Sequence, residues 1–152
     1  MGTESDNVEK RRANAIWQGN LTEGTGTLSS QSGALSNLPY SFKARFQDES
    51  GTSGTNPEEL IAAAHAGCFA MQLSHFLAEN GTPATKLDAT ATIDLDMSGG
   101  GATIKSSTIE LVGTVPGIDD AKFKELADKA KAGCPVSRAL GAIEVNLNAR
   151  LG

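Results

Sequence analysis

The chain has little of what covalent frameworks and metal sites need. Among its 152 residues are two cysteines and two histidines. Two cysteines cannot make the multiple staples of a small secreted domain. They also lack the C-x-x-C spacing of thioredoxin-like motifs and common zinc knuckles. Positive charge is short as well: 13 Lys and Arg stand against 18 Asp and Glu, a net charge of −5. That excludes the basic footprint of a nucleic-acid binder. No run approaches 18 apolar residues, so no membrane span is expected. Residues 1–12 are polar and charged, without the apolar core of a secretory signal. The expected location is therefore the cytoplasm, where thiols are kept reduced. Two cysteines there are either core residues or chemistry.

The length suits one compact domain, with residues 1–11 expected as a flexible arm and 12–152 as the domain. Gly/Ser/Thr-rich stretches at 19–33 and 50–55 read as turns between short strands near 12–18, 25–31 and 40–47. Residues 88–96 alternate as a half-buried strand does. The turn Ser98-Gly99-Gly100-Gly101 sends the chain back along 102–112. Residues 143–150 alternate again and form the last strand.

The pattern predicts two longer helices. The first opens at Asn56-Pro57-Glu58-Glu59, with an N-cap residue, a proline at the first helical position and a capping-box glutamate. It runs to about Asn80, where Gly81 suits a left-handed stop. Residues 60–77 are apolar almost all round, the composition of a helix buried on every side. A chain this small hardly supplies that much cover. The second helix, 119–131, is acidic at its start and basic at its end. Gly133 ends it, and Cys134-Pro135 begins a short third helix reaching about Leu140.

Cys68 lies within the apolar helix, where a cysteine can be an ordinary small core residue. Cys134 precedes Pro135 at a helix start, where unpaired N–H groups favour a thiolate. Together they meet the needs of thiol-peroxide chemistry: one thiolate to attack oxygen and a second thiol to trap the sulfenic acid. His65, three residues before Cys68, reads as a core histidine capped by a backbone group. A metal site or a Cys–His nucleophile using His65 and His75 is the rival reading. Glu58 suits the positive end of the helix. It stands ten residues from Cys68, roughly 15 Å along the axis. If both serve one site, they come from different chains. The uncovered helix asks for the same thing, an intertwined two-fold dimer.

Three blocks resemble the OsmC/Ohr family of thiol-dependent hydroperoxide reductases, in its OsmC branch. They are PYSFKARF at 39–46, GTNPEELIAAAHAGCF at 54–69 and AKAGCPVS at 130–137; VPGID at 115–119 agrees too. The resemblance covers the chain from about residue 12 onward. It implies an α+β fold, with antiparallel sheets around a long buried central helix, and an intertwined homodimer. It implies a peroxiredoxin-like antioxidant enzyme that reduces organic hydroperoxides, and hydrogen peroxide less well, through a redox-active disulfide in the stress response. Matched residue by residue, Cys68 is the peroxidatic cysteine and Cys134 the resolving one. By the same resemblance Arg45 matches the arginine that stabilises the thiolate and binds the peroxide, and Glu58 the carboxylate that holds that arginine. No cofactor or metal is implied. The expected reductant is an external dithiol of lipoyl type, and no nucleic acid or membrane is expected as a partner. The loop 47–54 is longer than the family pattern. The competing reading is a non-enzymatic dimeric binding protein with an apolar pocket and incidental cysteines.

Overall fold

A computed structural model describes residues 8–152. The expected arm 1–11 therefore lies largely outside the described residues, and its remaining part, 8–11, is exposed. The chain forms two compact units, divided between Pro57 and Glu58.

The first unit is an antiparallel sheet of β1 (Ala13–Gln18), β2 (Thr25–Ser30) and β3 (Leu38–Tyr40), in that order. Trp17 and Tyr40 pack with ring centroids 5.4 Å apart across Gly26. A Cβ at Gly26 would stand 2.5 Å from the Tyr40 ring and 2.6 Å from Trp17, so only glycine fits there.

The strand expected over 40–47 is a correction. Pairing ends at Gly26↔Tyr40, one residue from the start of β2, so almost no partner strand remains beyond Tyr40. Ser41 turns the chain instead. Its hydroxyl accepts the Ala44 N–H at 3.1 Å, and its carbonyl accepts the Arg45 N–H at 3.1 Å. Lys43–Gln47 is then a π-helical turn. The loop beyond it is organised by Asp48, whose carboxylate accepts from the Ser50 hydroxyl and from the N–H groups of Ser50, Thr52 and Ser53. Those bonds, the Ser50 hydroxyl first, hold its carboxyl well below the usual range.

The second unit carries α1 (Pro57–Glu79), β4 (Lys86–Asp96), β5 (Thr103–Thr114), α2 (Asp120–Gly133), α3 (Pro135–Ala139) and β6 (Glu144–Leu151). α1 stops as its sequence predicts. Gly81 has φ +80°, the Thr82 N–H bonds the Leu77 carbonyl at 3.0 Å, and the Gly81 N–H bonds that of Ala78 at 3.0 Å, the paired closure of a Schellman end. Asp119 caps α2 by accepting the Lys122 N–H at 2.7 Å.

β5 is central, with β4 antiparallel on one side and β6 parallel on the other. The parallel pair departs from the antiparallel sheets expected. Its cause is the helical connection: a chain that leaves β5 through α2 and α3 re-enters in the same direction. The core joins Phe69, Leu73 and Leu77 of α1, Ile109 and Leu111 of β5, and Phe123, Leu126, Ala127 and Ala130 of α2.

The single chain does not bury α1 on every side. One stripe, His65, Phe69, Leu73 and Leu77, is buried at a spacing of four. Ala63, Ala64, Gly67, Met71 and Ser74 face outward, and Met71 is 77% exposed. By length and composition α1 also passes as a membrane-crossing helix, a property shared by core helices of soluble proteins. Its buried stripe carries a fully buried histidine.

Candidate active site

Cys134 is fixed at the junction of α2 and α3. It is the last cap of the first and the first cap of the second, with φ −62° and ψ 122°. Pro135 enforces that extended backbone, because its ring excludes the helical region for the residue before it. The Cys134 N–H bonds the Ala130 carbonyl at 2.9 Å, and its own carbonyl accepts the Arg138 N–H at 3.0 Å. Its backbone is therefore pinned, and the residue is wholly buried.

Cys68 lies in mid-α1 at the edge of the buried stripe and is partly exposed. The two sulfurs are 2.8 Å apart and both cysteines are free thiols. The separation exceeds the roughly 2.05 Å of a disulfide bond.

A hydrogen bond joins the two sulfurs. Burial pushes the Cys68 thiol up, and the hydrogen bond with Cys134 adds to that. Burial also opposes a Cys134 thiolate, but Cys68, the Ser137 N–H and hydroxyl, and the Val136 N–H outweigh it and hold Cys134 below its ordinary value. None of these donors closes a full capping bond on the sulfur. The surroundings thus disfavour a thiolate at Cys68 and favour one at Cys134.

His65 is fully buried and bonded at both ring nitrogens. Nδ1 meets the Ser107 hydroxyl at 2.6 Å and Nε2 meets the Ser137 hydroxyl at 2.7 Å. Two serines therefore hold it, not the backbone group expected. Burial lowers its pKa, so it is neutral at neutral pH. His75 is elsewhere, paired on the surface with Glu79 at 3.0 Å. Neither the His65–His75–Cys68 cluster nor any other group of three His, Cys, Asp or Glu suited to a metal is present among the described residues.

Glu58 is buried in the first turn of α1. The helix holds it about 15 Å from Cys68 along the axis, so within one chain the two do not meet. Arg45 belongs to the first unit, on the π-helical turn and not on a strand. Its guanidinium stands 4.9 Å from the Phe46 ring centroid. There it lines a pocket of about 230 Å³ with Trp17, Leu21, Tyr40, Phe42 and Phe46.

Two polar residues of the cysteine site were not singled out in the sequence. Ser137 carried a usable signal, since it follows Cys134 by three residues, the spacing of a capping pair. Ser107 carried none: it is one of two adjacent serines in a strand, and only packing against α1 gives it a role.

The family profile described as OsmC-like protein matches residues 48–148. Peroxiredoxin OsmC of Escherichia coli (strain K12) is 45% identical over 141 residues, covering 93% of this chain and 96% of that one. An organic hydroperoxide resistance protein of Xanthomonas axonopodis pv. citri (strain 306) is 38% identical over 101 residues, 64% of this chain and 68% of that one. The crystal structure of the organic hydroperoxide resistance protein OhrB of Bacillus subtilis superposes with a TM-score of 0.66 at 29% identity, covering 91% of this chain and 98% of that one.

Proposed function

The chain belongs to the OsmC-like protein family, and on that premise we propose that it is a thiol peroxidase that reduces organic hydroperoxides. The observation that carries this reading is the cysteine pair: two free thiols 2.8 Å apart, one partly exposed and the other buried behind it. A peroxide reaches Cys68 and not Cys134, which sets the roles. The Cys68 thiolate attacks the terminal peroxide oxygen, and the O–O bond breaks. The organic oxygen leaves as alkoxide and takes a proton to become the alcohol. The Cys134 thiolate then attacks the sulfur of the Cys68 sulfenic acid. The S–O bond breaks, hydroxide leaves and is protonated to water, and a disulfide remains. An external dithiol of lipoyl type re-reduces it by exchange. The chemistry runs on sulfur alone, in the cytoplasm, with residues 12–152 acting as one domain. Steady consumption of an alkyl hydroperoxide by the protein with dihydrolipoamide tests the reading; no consumption above the protein-free rate contradicts it.

Arg45 answers a need that the cysteine pair creates. Burial and Cys134 both push the Cys68 thiol up, so a thiolate at neutral pH needs a nearby cation. In this reading Arg45 supplies it and contacts the peroxide, while Glu58 holds the guanidinium from the other side. Arg45→Ala should raise the Cys68 pKa and slow peroxide oxidation roughly 10- to 100-fold. Alkylation rate against pH reports the pKa; an unchanged titration moves the role to another group.

The site is completed by a second copy of the chain. The outward face of α1, with Met71 77% exposed and open space beyond Gly67, supports a homodimer packed along this helix. Glu58 and Cys68 then meet across the two-fold. Cys68→Ser and Glu58→Ala chains, refolded together, should recover activity above either mutant homodimer, because one site in the mixed dimer carries neither lesion. No gain in a sample shown to hold mixed dimers puts each site within one chain.

A further inference from the structure

The peroxidase chemistry above makes no use of His65, yet this fully buried imidazole is bonded at both nitrogens, and one of its partners, Ser137, follows Cys134 by one helical turn. Ser107 Oγ lies 2.6 Å from Nδ1, and Nε2 lies 2.7 Å from Ser137 Oγ. Ser137 stands one helical turn after Cys134 in α3, and Cys134 Sγ is 2.8 Å from Cys68 Sγ.

The donor count along this line leaves few arrangements. A serine hydroxyl has one hydrogen, and a neutral imidazole has one N–H and one bare nitrogen. If Ser137 gives its hydrogen to Cys134, its oxygen must accept from Nε2–H. The bare Nδ1 then accepts from the Ser107 hydroxyl. Every donor in the line points toward Cys134. The opposite order, with Nε2 accepting from Ser137, turns that hydroxyl away from the sulfur.

We infer that neutral His65, with Nδ1 anchored by Ser107, is a positioning residue for the resolving step: its Nε2–H holds the Ser137 hydroxyl as a donor to Cys134. This fixes the buried sulfur as the thiolate of the pair and keeps it ready to attack. The burial that keeps His65 neutral fits the role, since the line requires one accepting nitrogen. Cys134 is correspondingly the sulfur whose surroundings favour charge. The inference rests on the proposed roles of the two cysteines, but its test does not require a peroxide.

The probe is an aromatic disulfide, dithionitrobenzoate. Cys68 attacks it, releases one thionitrobenzoate and keeps the other as a mixed disulfide. The Cys134 thiolate then attacks the Cys68 sulfur, the Cys68–thionitrobenzoate bond breaks, and the second chromophore leaves as its thiolate. The first phase reports Cys68 and the second reports Cys134.

Ser137→Ala, which removes only an oxygen, should slow the second phase about tenfold or more while the first stays within about twofold. His65→Leu should do the same. Ser137→Thr keeps the hydroxyl, and His65→Gln keeps one donor and one acceptor; both should stay within about threefold of wild type. Equal second phases in Ser137→Ala and wild type overturn the inference. So does His65→Gln slowed as much as His65→Leu, which would require an ionising imidazole. Slowing of both phases alike in Ser137→Ala, the signature of a general packing defect, overturns it too. Failure of the wild type to consume alkyl hydroperoxide, with these phases behaving as described, removes the peroxidase reading and leaves the positioning role in place.

Discussion

Cys68→Ser abolishes hydroperoxide consumption, with a loss of about 10³-fold or more against wild type at the same donor concentration. The argument is one of chemistry and access. A serine hydroxyl is not ionised near neutral pH and attacks a peroxide oxygen far more weakly than a thiolate. Cys134 cannot substitute, although its surroundings favour its thiolate, because it is wholly buried. The variant should fold, since Cys68 sits at the edge of the buried stripe and its oxygen replacement is smaller. Peroxide loss followed against time, with circular dichroism as a check on folding, gives the answer. Near-full turnover by the folded variant would place the attacking group elsewhere.

Cys134→Ser has a different signature. The first peroxide is still reduced, because Cys68 and its access are untouched. The sulfenic acid then has no buried partner 2.8 Å away. With excess peroxide it proceeds to sulfinic acid, a gain of two oxygens that no ordinary dithiol reverses. Sustained turnover with a dithiol should fall at least about tenfold and decline with each cycle. Intact mass after peroxide excess separates the outcomes. A variant that turns over like wild type and gains no oxygen would remove Cys134 from the resolving role.

Much of this site was legible in the residues. Asn56-Pro57 and Gly81 bracket α1 within a residue at each end, because capping groups and a left-handed glycine act locally. Cys134-Pro135 marks the kink between α2 and α3 for the same reason. Other features were illegible because their cause is distant in the chain. The segment 40–47 alternates well enough to read as a strand, yet β2 runs out of partners at Gly26 and Ser41 turns the chain. The parallel pairing of β6 with β5 depends on the path through two helices. The cover of α1 was only half legible. Its composition shows that it is apolar all round, but not which stripe its own sheet and α2 take. The structure gives His65, Phe69, Leu73 and Leu77 to the core and leaves Ala64, Gly67 and Met71 outside. The His65 contacts lay furthest from view, since Ser107 and Ser137 are 42 and 72 residues away.

The central claim is that one hydroperoxide oxidises the two cysteines of a chain to a single disulfide. Titrating the reduced protein with an organic hydroperoxide, while counting free thiols and recording intact mass, tests it most directly. The account predicts that one equivalent of peroxide per chain removes both thiols, that each chain loses two hydrogens in mass, and that a dithiol restores both values. Thiols that survive equimolar peroxide, or a chain that gains oxygen without losing Cys134 as a free thiol, would contradict it.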